Sequence, residues 1–108
     1  MFKLTDTVRG FPILLFDDCY DKECSIQMSS VATYDAVWLG INHAEPKILA
    51  SRAEALGIST DETTGWISYP IPVDVSLNTR MHLTRDQAGA LARVLQHYYE
   101  TGELNEIP

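Results

Sequence analysis

A run of alternating side chains that leads directly into a helical pattern limits the folds open to this chain more than any other feature. From Val73 to Leu83 the odd positions carry apolar residues or threonine, and the even positions carry polar residues. Successive side chains of a strand point to opposite faces of a sheet. The run therefore predicts one long strand over residues 73–83, with an apolar face and a polar face.

Signals for a helix from about residue 85 to residue 100 follow this strand. Thr84 is a suitable N-cap, and Gln87 completes a capping-box pattern. Gly102 can adopt the left-handed conformation that ends many helices. Apolar residues between these ends recur at the spacing of one helical face, namely Ala88, Leu91, Ala92, Leu95 and Tyr99, with Val94 and Tyr98 beside them. The pattern predicts an amphipathic C-terminal helix.

Three earlier segments also have the pattern of strands. Residues 11–17 form a short apolar run, and residues 24–30 alternate between apolar and polar side chains. We interpret these two segments as a hairpin whose loop has about four residues, since no Asn-Gly turn is present. Residues 36–41 predict a third strand, in which Gly40 marks a bulge or a close approach of another group.

The middle of the chain has a weaker pattern. Residues 46–56 are compatible with a helix that starts at Pro46, or with a strand at 47–50 followed by a short helix. Residues 57–72 contain Pro70 and Pro72 and predict a loop or a short edge strand. Together the segments predict a single α+β domain over residues 1–108, with an antiparallel sheet of four or five strands and the C-terminal helix packed on one face.

The net charge and hydropathy of the chain limit the classes of function that it can have. A net charge of −7 disfavours general binding to nucleic acids or to anionic membranes. No apolar run approaches the length of a membrane span, and the N-terminus lacks the long apolar segment of a signal peptide. We therefore expect a cytoplasmic protein in which Cys19 and Cys24 are reduced and unreactive.

No catalytic or cofactor motif stands out. The chain has no phosphate-binding glycine loop and no nucleophile motif, and His43, His82 and His97 lie on different predicted elements. The acidic cluster Asp17, Asp18, Asp21 and Glu23 lacks the spacing of a calcium loop and is typical of a solvated turn. We expect no enzyme activity, no catalytic residue, no metal and no cofactor.

The polar side of the strands has an unusual composition. Solvated strands usually carry lysine and glutamate, whereas the even positions of 76–82 carry serine, asparagine, arginine and histidine. Arginine and histidine both donate to phosphate or carboxylate groups, and aromatic rings can stack on a base. The candidate ligand-binding residues are Arg80, His82, Asn78, Thr84, Ser25, Gln27, Trp38, Trp66 and Tyr69. The alternative is a structural role, in which Arg80 pairs with a nearby acid and His82 caps a loop carbonyl.

Several segments resemble a family of small uncharacterised proteins of tailed bacteriophages and prophages. The matching segments cover most of the chain from residue 24 onward and read CSIQMSSVA, VWLGI, PKILASRAEALGI, ETTGWISYPIPVDV, TRMHLT and TGEL. Relatives tend to have a glycine in the turn where this chain reads YDKE. The resemblance implies a small accessory protein that acts in the cytoplasm of the infected host and antagonises its defence.

Two hypotheses follow from these observations. The first is a non-enzymatic binder that sequesters a small anionic, nucleotide-like signal, in a homo-oligomer whose protomers share a pocket. The second is an acidic protein–protein inhibitor or regulator of a host defence protein. The second is indicated by the net charge and by the segment that contains Trp66 and Tyr69, two residue types that often anchor interfaces.

Overall fold

A computed structural model of the chain describes residues 1–29 and 33–105. The chain divides into two compact units. Met1–Asn42 and Arg80–Pro108 form the sheet unit, and His43–Thr79 form the ribbon unit.

The sheet unit contains one antiparallel five-stranded sheet and one long helix, which confirms the predicted α+β class. The elements of this unit are β1 (Lys3–Asp6), β2 (Pro12–Asp17), β3 (Glu23–Met28), β4 (Ala36–Ile41), β7 (Arg80–Thr84) and the helix α2 (Arg85–Thr101). The strand order is β1-β2-β3-β4-β7. Three of the strands correspond to the segments predicted from residues 11, 24 and 36 onward. Residue 30, at the end of the second predicted strand, lies outside the described residues.

The register of the sheet separates apolar from polar side chains. The apolar face is built from cross-strand rows of large side chains, and its members are Leu4, Leu14, Phe16, Cys24, Ile26, Met28, Val37, Leu39, Ile41, Met81 and Leu83. The opposite side of the three strands β3, β4 and β7 is the polar face, and its central members are Ser25, Gln27, Trp38, Gly40, Arg80 and His82. The alternation in β3, β4 and β7 thus becomes two chemically distinct surfaces, whereas the neighbouring strand β2 places Ile13 and Leu15 on the polar side.

The β2–β3 connection is a structured turn over residues 18–22. The carboxylate of Asp18 accepts hydrogen bonds from the backbone N–H groups of Tyr20 at 2.8 Å and Lys22 at 3.0 Å. Asp21 adopts a left-handed conformation with φ of 60°, which aspartate tolerates better than most residues. Asp18 and Asp21 therefore have structural roles in the turn.

Helix α2 has the ends that the sequence predicts. The Thr84 side chain accepts a hydrogen bond from the Gln87 N–H at 3.2 Å, and the Gln87 side chain accepts one from the Thr84 N–H at 3.0 Å. Gly102 ends the helix with φ of 75°, and its N–H donates to the Tyr98 carbonyl. Because Thr84 ends β7 and also caps α2, no residue separates the strand from the helix.

Removing the cap should destabilise the protein measurably. Thr84→Ala leaves the Gln87 N–H without its side-chain acceptor, which should lower the free energy of unfolding by about 1 kcal/mol. Thermal unfolding followed by circular dichroism measures the effect. Thr64→Ala, in an exposed loop position, is the control and should leave the midpoint unchanged. An unchanged midpoint for Thr84→Ala would show that the cap contributes nothing.

The predicted strand over residues 73–83 is wrong in its first half. Only residues 80–84 are in β7, while Val73 and Val75 lie in a turn and are 99% and 49% exposed. The reason is the length of the partner strand. β4 ends at Ile41, so an antiparallel strand that continued before Arg80 would soon run past its last partner. Alternation of apolar and polar residues shows only that the two sides of a segment differ in polarity. A β-strand also requires a neighbouring strand with which it can form hydrogen bonds.

The ribbon unit contains a two-stranded antiparallel ribbon, β5 (Lys47–Leu49) and β6 (Trp66–Ser68). The short helix α1 (Ala50–Ala53) follows β5, and one turn of 3-10 helix completes the segment. Of the two alternatives for residues 46–56, the strand followed by a short helix is therefore correct. The stretch before Pro70 forms the short edge strand that was one alternative for residues 57–72.

Packing within the sheet unit is sparse. Its buried residues among those described are Cys24, Ser25 and Ala36, and no residue of α2 is buried. The first turns of the helix lie beside the apolar face at the end of the sheet. There they border an open cleft of about 260 Å³ lined mainly by Met28, Asp35, Ala36, Val37, Leu83, Thr84, Arg85 and Ala88. The helix thus lies beside one end of the apolar face, and the apolar residues on one side of the helix are only partly covered.

Candidate functional site

Five of the predicted ligand-binding residues lie on the polar face, in two neighbouring cross-strand rows. Gln27, Trp38 and His82 form one row across β3, β4 and β7. Ser25 and Arg80 form the other row, with Gly40 between them. The strands that carry Ser25 and Arg80 are not direct neighbours, since β4 lies between them.

An aromatic stack fixes the position of His82. The indole of Trp38 and the imidazole of His82 lie with their ring centroids 4.0 Å apart and their planes at 13°. Trp38 is half-buried on β4, an interior strand, whereas His82 is exposed on the edge strand β7. Stacking on a ring held by the sheet restricts the imidazole. One face of the imidazole of His82 contacts Trp38. Because His82 is exposed, the other face of its ring is open to solvent.

A hydrogen bond across β4 holds Arg80. Its Nη1 donates to Oε1 of Gln27 at 3.0 Å, and Gln27 lies two strands away on β3. The guanidinium reaches Gln27 across β4, where Gly40, the residue paired with Arg80, has no side chain. Gly40 has φ of 157°, and the strand pairing continues through it without a bulge. The prediction of a close approach at Gly40 fits this arrangement better than the prediction of a bulge.

Ser25 has a structural role in the polar face. It is fully buried, and its hydroxyl donates to Oδ1 of Asn42 at 2.6 Å. The Asn42 amide in turn donates to Oε1 of Glu23 at 2.6 Å. The Ser25 hydroxyl is engaged and shielded, so its role in this structure is to position Asn42. Asn42 was not among the predicted residues, because a single asparagine after a strand is a common loop residue.

The other predicted residues lie elsewhere in the chain. Thr84 is in the sheet unit, where its hydroxyl caps α2. Asn78, Trp66 and Tyr69 belong to the ribbon unit. Trp66 is 67% exposed on β6, and Tyr69 is half-buried with its N–H bonded to the carbonyl of Pro46.

The geometry of the polar face suits recognition of an anion. Positions two residues apart on a strand are separated by about 7 Å, which places the Arg80 and His82 side chains on the two sides of a group the size of a phosphate. The guanidinium can donate two parallel hydrogen bonds, and the imidazole can donate one. Gln27 and Trp38 hold these two donors in place, so less conformational entropy is lost when they bind.

The two cysteines lie in different environments, and the environment of Cys24 is not that of a reactive nucleophile. Burial raises the pKa of the Cys24 thiol, and the nearby carboxylates of Asp18 and Asp17 raise it further. A raised pKa keeps the thiol protonated and weakly nucleophilic. Cys24 is therefore a packing residue of the apolar face, whereas Cys19 is exposed.

Over residues 1–29 and 33–105, no three side chains of the His, Cys, Asp or Glu type come together as a metal site. Within that described part of the chain, no helix has the length and hydropathy needed to cross a bilayer.

Comparisons with other proteins return no match to this chain. None of the protein-family models matches, and neither the curated proteins nor the solved structures provide a similar sequence or fold. A fold alone does not determine a function, so we infer the function from the chemistry of the polar face.

Proposed function

We propose that the polar face of the sheet unit binds a small anionic ligand without transforming it. The observation that supports this most directly is the pair Arg80 and His82, two donors on one face of β7 that are each held by a neighbour on β3 or β4. Arginine and histidine bind phosphate groups through charge-assisted hydrogen bonds. The exposed side of the His82 ring offers a stacking surface beside these donors.

The ligand that fits these groups best is nucleotide-like. A phosphate would contact the Arg80 guanidinium, and a base would stack against the imidazole of His82, which Trp38 supports from the other side. Trp38 and Gln27 act mainly by holding the two contact residues. Binding without turnover is the simpler role here, because the Ser25 hydroxyl is engaged by Asn42 and the Cys24 thiol has a raised pKa.

The biological setting that we propose comes from the phage-like segments of the sequence. A small accessory protein in the cytoplasm of an infected bacterium could sequester a nucleotide signal and so block a defence response. Sequestration requires affinity and abundance but no catalysis, which agrees with a face built for binding.

Mass spectrometry of released small molecules tests this function. The protein would be purified from cells with an active, nucleotide-signalling defence, denatured, and its supernatant analysed. We expect one phosphate-containing compound in a fixed molar ratio to the protein. Protein that releases no such compound from signalling cells, and that fails to deplete nucleotides from an extract of those cells, would contradict the proposal.

A second candidate function is supported by the exposure of Trp66. This residue is 67% exposed on the short strand β6, and Leu49 opposite it is 41% exposed. Exposed aromatic residues beside aliphatic ones often anchor protein–protein contacts. An acidic chain with such an anchor could inhibit or regulate a host defence protein.

Replacing Trp66 separates this function from a structural role. Trp66→Ala should leave the thermal midpoint nearly unchanged, because the ring is mostly exposed. If the ribbon is a docking site, the variant should lose the host protein that the wild type retains in a pull-down, and Tyr34→Ala, in another exposed position, should retain it. Retention of the same host protein by Trp66→Ala would exclude Trp66 as an anchor, and unfolding of the variant would place the ring in the core.

A further inference from the structure

The strand pairing gives His82 no acidic neighbour on the polar face. The other members of its cross-strand row are uncharged, namely Trp38, Gln27, Ile13 and Thr5. The rows on either side of it place four residues next to His82 and Trp38, namely Arg80, Gly40, Thr84 and Ala36. Of these described neighbours, only Arg80 carries a charge, and that charge is positive.

The acids closest in sequence to β4 and β7 lie beyond the ends of these strands. Asp35 precedes β4, and its Oδ2 lies 3.4 Å from Nη1 of Arg85. Asp86 is in the first turn of α2, which contacts β7 as β4 does. Neither acid belongs to the cross-strand row of His82. Within the described part of the sheet unit, a negative charge in line with the imidazole would therefore be supplied by a ligand.

The stack on Trp38 accommodates a charged imidazole as well as a neutral one. The two ring centroids are 4.0 Å apart and the planes are at 13°, so the imidazole lies over the face of the indole. A cation within about 6 Å of the face of a tryptophan is attracted by the ring electrons. Protonation of His82 is therefore compatible with the position in which the stack holds its ring.

From this arrangement we infer that the polar face binds its anionic ligand together with a proton, which His82 holds. The inference rests on the proposed function and adds the condition under which the ligand is bound. A charged imidazole donates from both ring nitrogens, whereas a neutral one donates from one. A bound anion would attract the charged ring and offset its repulsion from the Arg80 guanidinium. The anion and the proton therefore each favour binding of the other.

The affinity for an anion should consequently fall as the pH rises. Histidine side chains change charge between about pH 5 and about pH 8, whereas arginine stays charged throughout. Exposed carboxylates are ionised above about pH 6, so the acidic residues that give the chain its charge of −7 do not contribute to a change above that pH. A loss of affinity between about pH 6 and about pH 8 therefore reports the loss of a proton from histidine.

Titration with inorganic sulfate, followed by the backbone amide NMR signals of β4 and β7, tests the inference. Unlike phosphate, sulfate keeps one charge over this pH interval, and sodium chloride holds the ionic strength constant. The wild type should bind sulfate about fivefold more tightly at about pH 6 than at about pH 8. His82→Gln keeps a neutral donor and should bind equally at both pH values. His97→Gln, on α2, is the matched control and should behave as the wild type does.

Two results would overturn the inference. One is a wild-type affinity for sulfate that is the same at both pH values, and the other is a His82→Gln variant that keeps the wild-type dependence on pH. If Arg80→Ala abolishes binding in either case, the proposed function stands without the proton. A wild type that binds no sulfate at either pH contradicts both. Should His82→Gln unfold, the ring signal of His82 decides: at about pH 7, sulfate should move it towards the position of the charged ring, and an unmoved signal contradicts the inference.

Discussion

Arg80→Ala is expected to abolish the recovery of a bound anionic ligand while the protein stays folded. A guanidinium that grips a phosphate makes two charge-assisted hydrogen bonds, each worth about 1.5–3 kcal/mol, so their loss should weaken binding at least about 100-fold. The fold should lose the hydrogen bond from Arg80 to Gln27, a contribution of about 1 kcal/mol. The molar ratio of released compound to protein measures binding, and the thermal midpoint measures stability.

Two further variants make the Arg80 result specific. Arg80→Lys should restore binding only in part, because an ammonium group has no planar fork. Arg93→Ala removes the same charge from an exposed position of α2 and should bind as the wild type does. If Arg80→Ala lowers the midpoint but releases as much compound as the wild type, Arg80 is a structural residue and the ligand lies elsewhere.

Gly40→Ala and Gly89→Ala should change stability in opposite directions. Gly40 has φ of 157°, a conformation that residues with a side chain rarely adopt, so alanine there should cost about 1–3 kcal/mol. The added methyl group would also stand on the polar face between Ser25 and Arg80, where the guanidinium crosses β4. Gly40→Ala should therefore reduce ligand recovery as well as the midpoint.

Gly89 provides the matched control for this substitution. It lies inside α2, and the nearest atom to an added methyl group is Nη1 of Arg93 at 3.7 Å, an ordinary contact. Alanine is favoured over glycine in a helix by about 1 kcal/mol, so Gly89→Ala should raise the midpoint by a few degrees. Destabilisation by both variants to the same extent would remove the special role assigned to Gly40.

Local patterns in the sequence were sufficient for the class of fold. The Thr84 and Gln87 cap, the Gly102 end and the strands that begin near residues 12, 23 and 36 are signalled by residues close together in the chain. The strand β1 was not predicted, because Lys3–Asp6 is short and has one apolar residue. The length of β7 was overestimated because it depends on where β4 ends, which the residues before Arg80 do not encode.

The candidate site could be predicted only in part, because local patterns in the sequence do not reveal tertiary contacts. Alternation places Arg80 and His82 on one side of a strand from sequence alone, as it does Ser25 and Gln27. It gives neither the order of strands nor the partners, so the stack of Trp38 on His82 and the bond from Arg80 to Gln27 became visible only in the structure. The burial of Ser25 beneath Asn42 likewise depends on tertiary contacts.

Native mass spectrometry of the wild type and of Arg80→Ala, both purified from cells with an active nucleotide-signalling defence, shows whether the polar face binds an anionic ligand. We expect that the wild type carries an added mass in the range of a nucleotide, that collisional activation releases this mass as an anion, and that Arg80→Ala lacks it. A wild type without added mass, or the same added mass on both proteins, would contradict the claim that the polar face binds an anionic ligand.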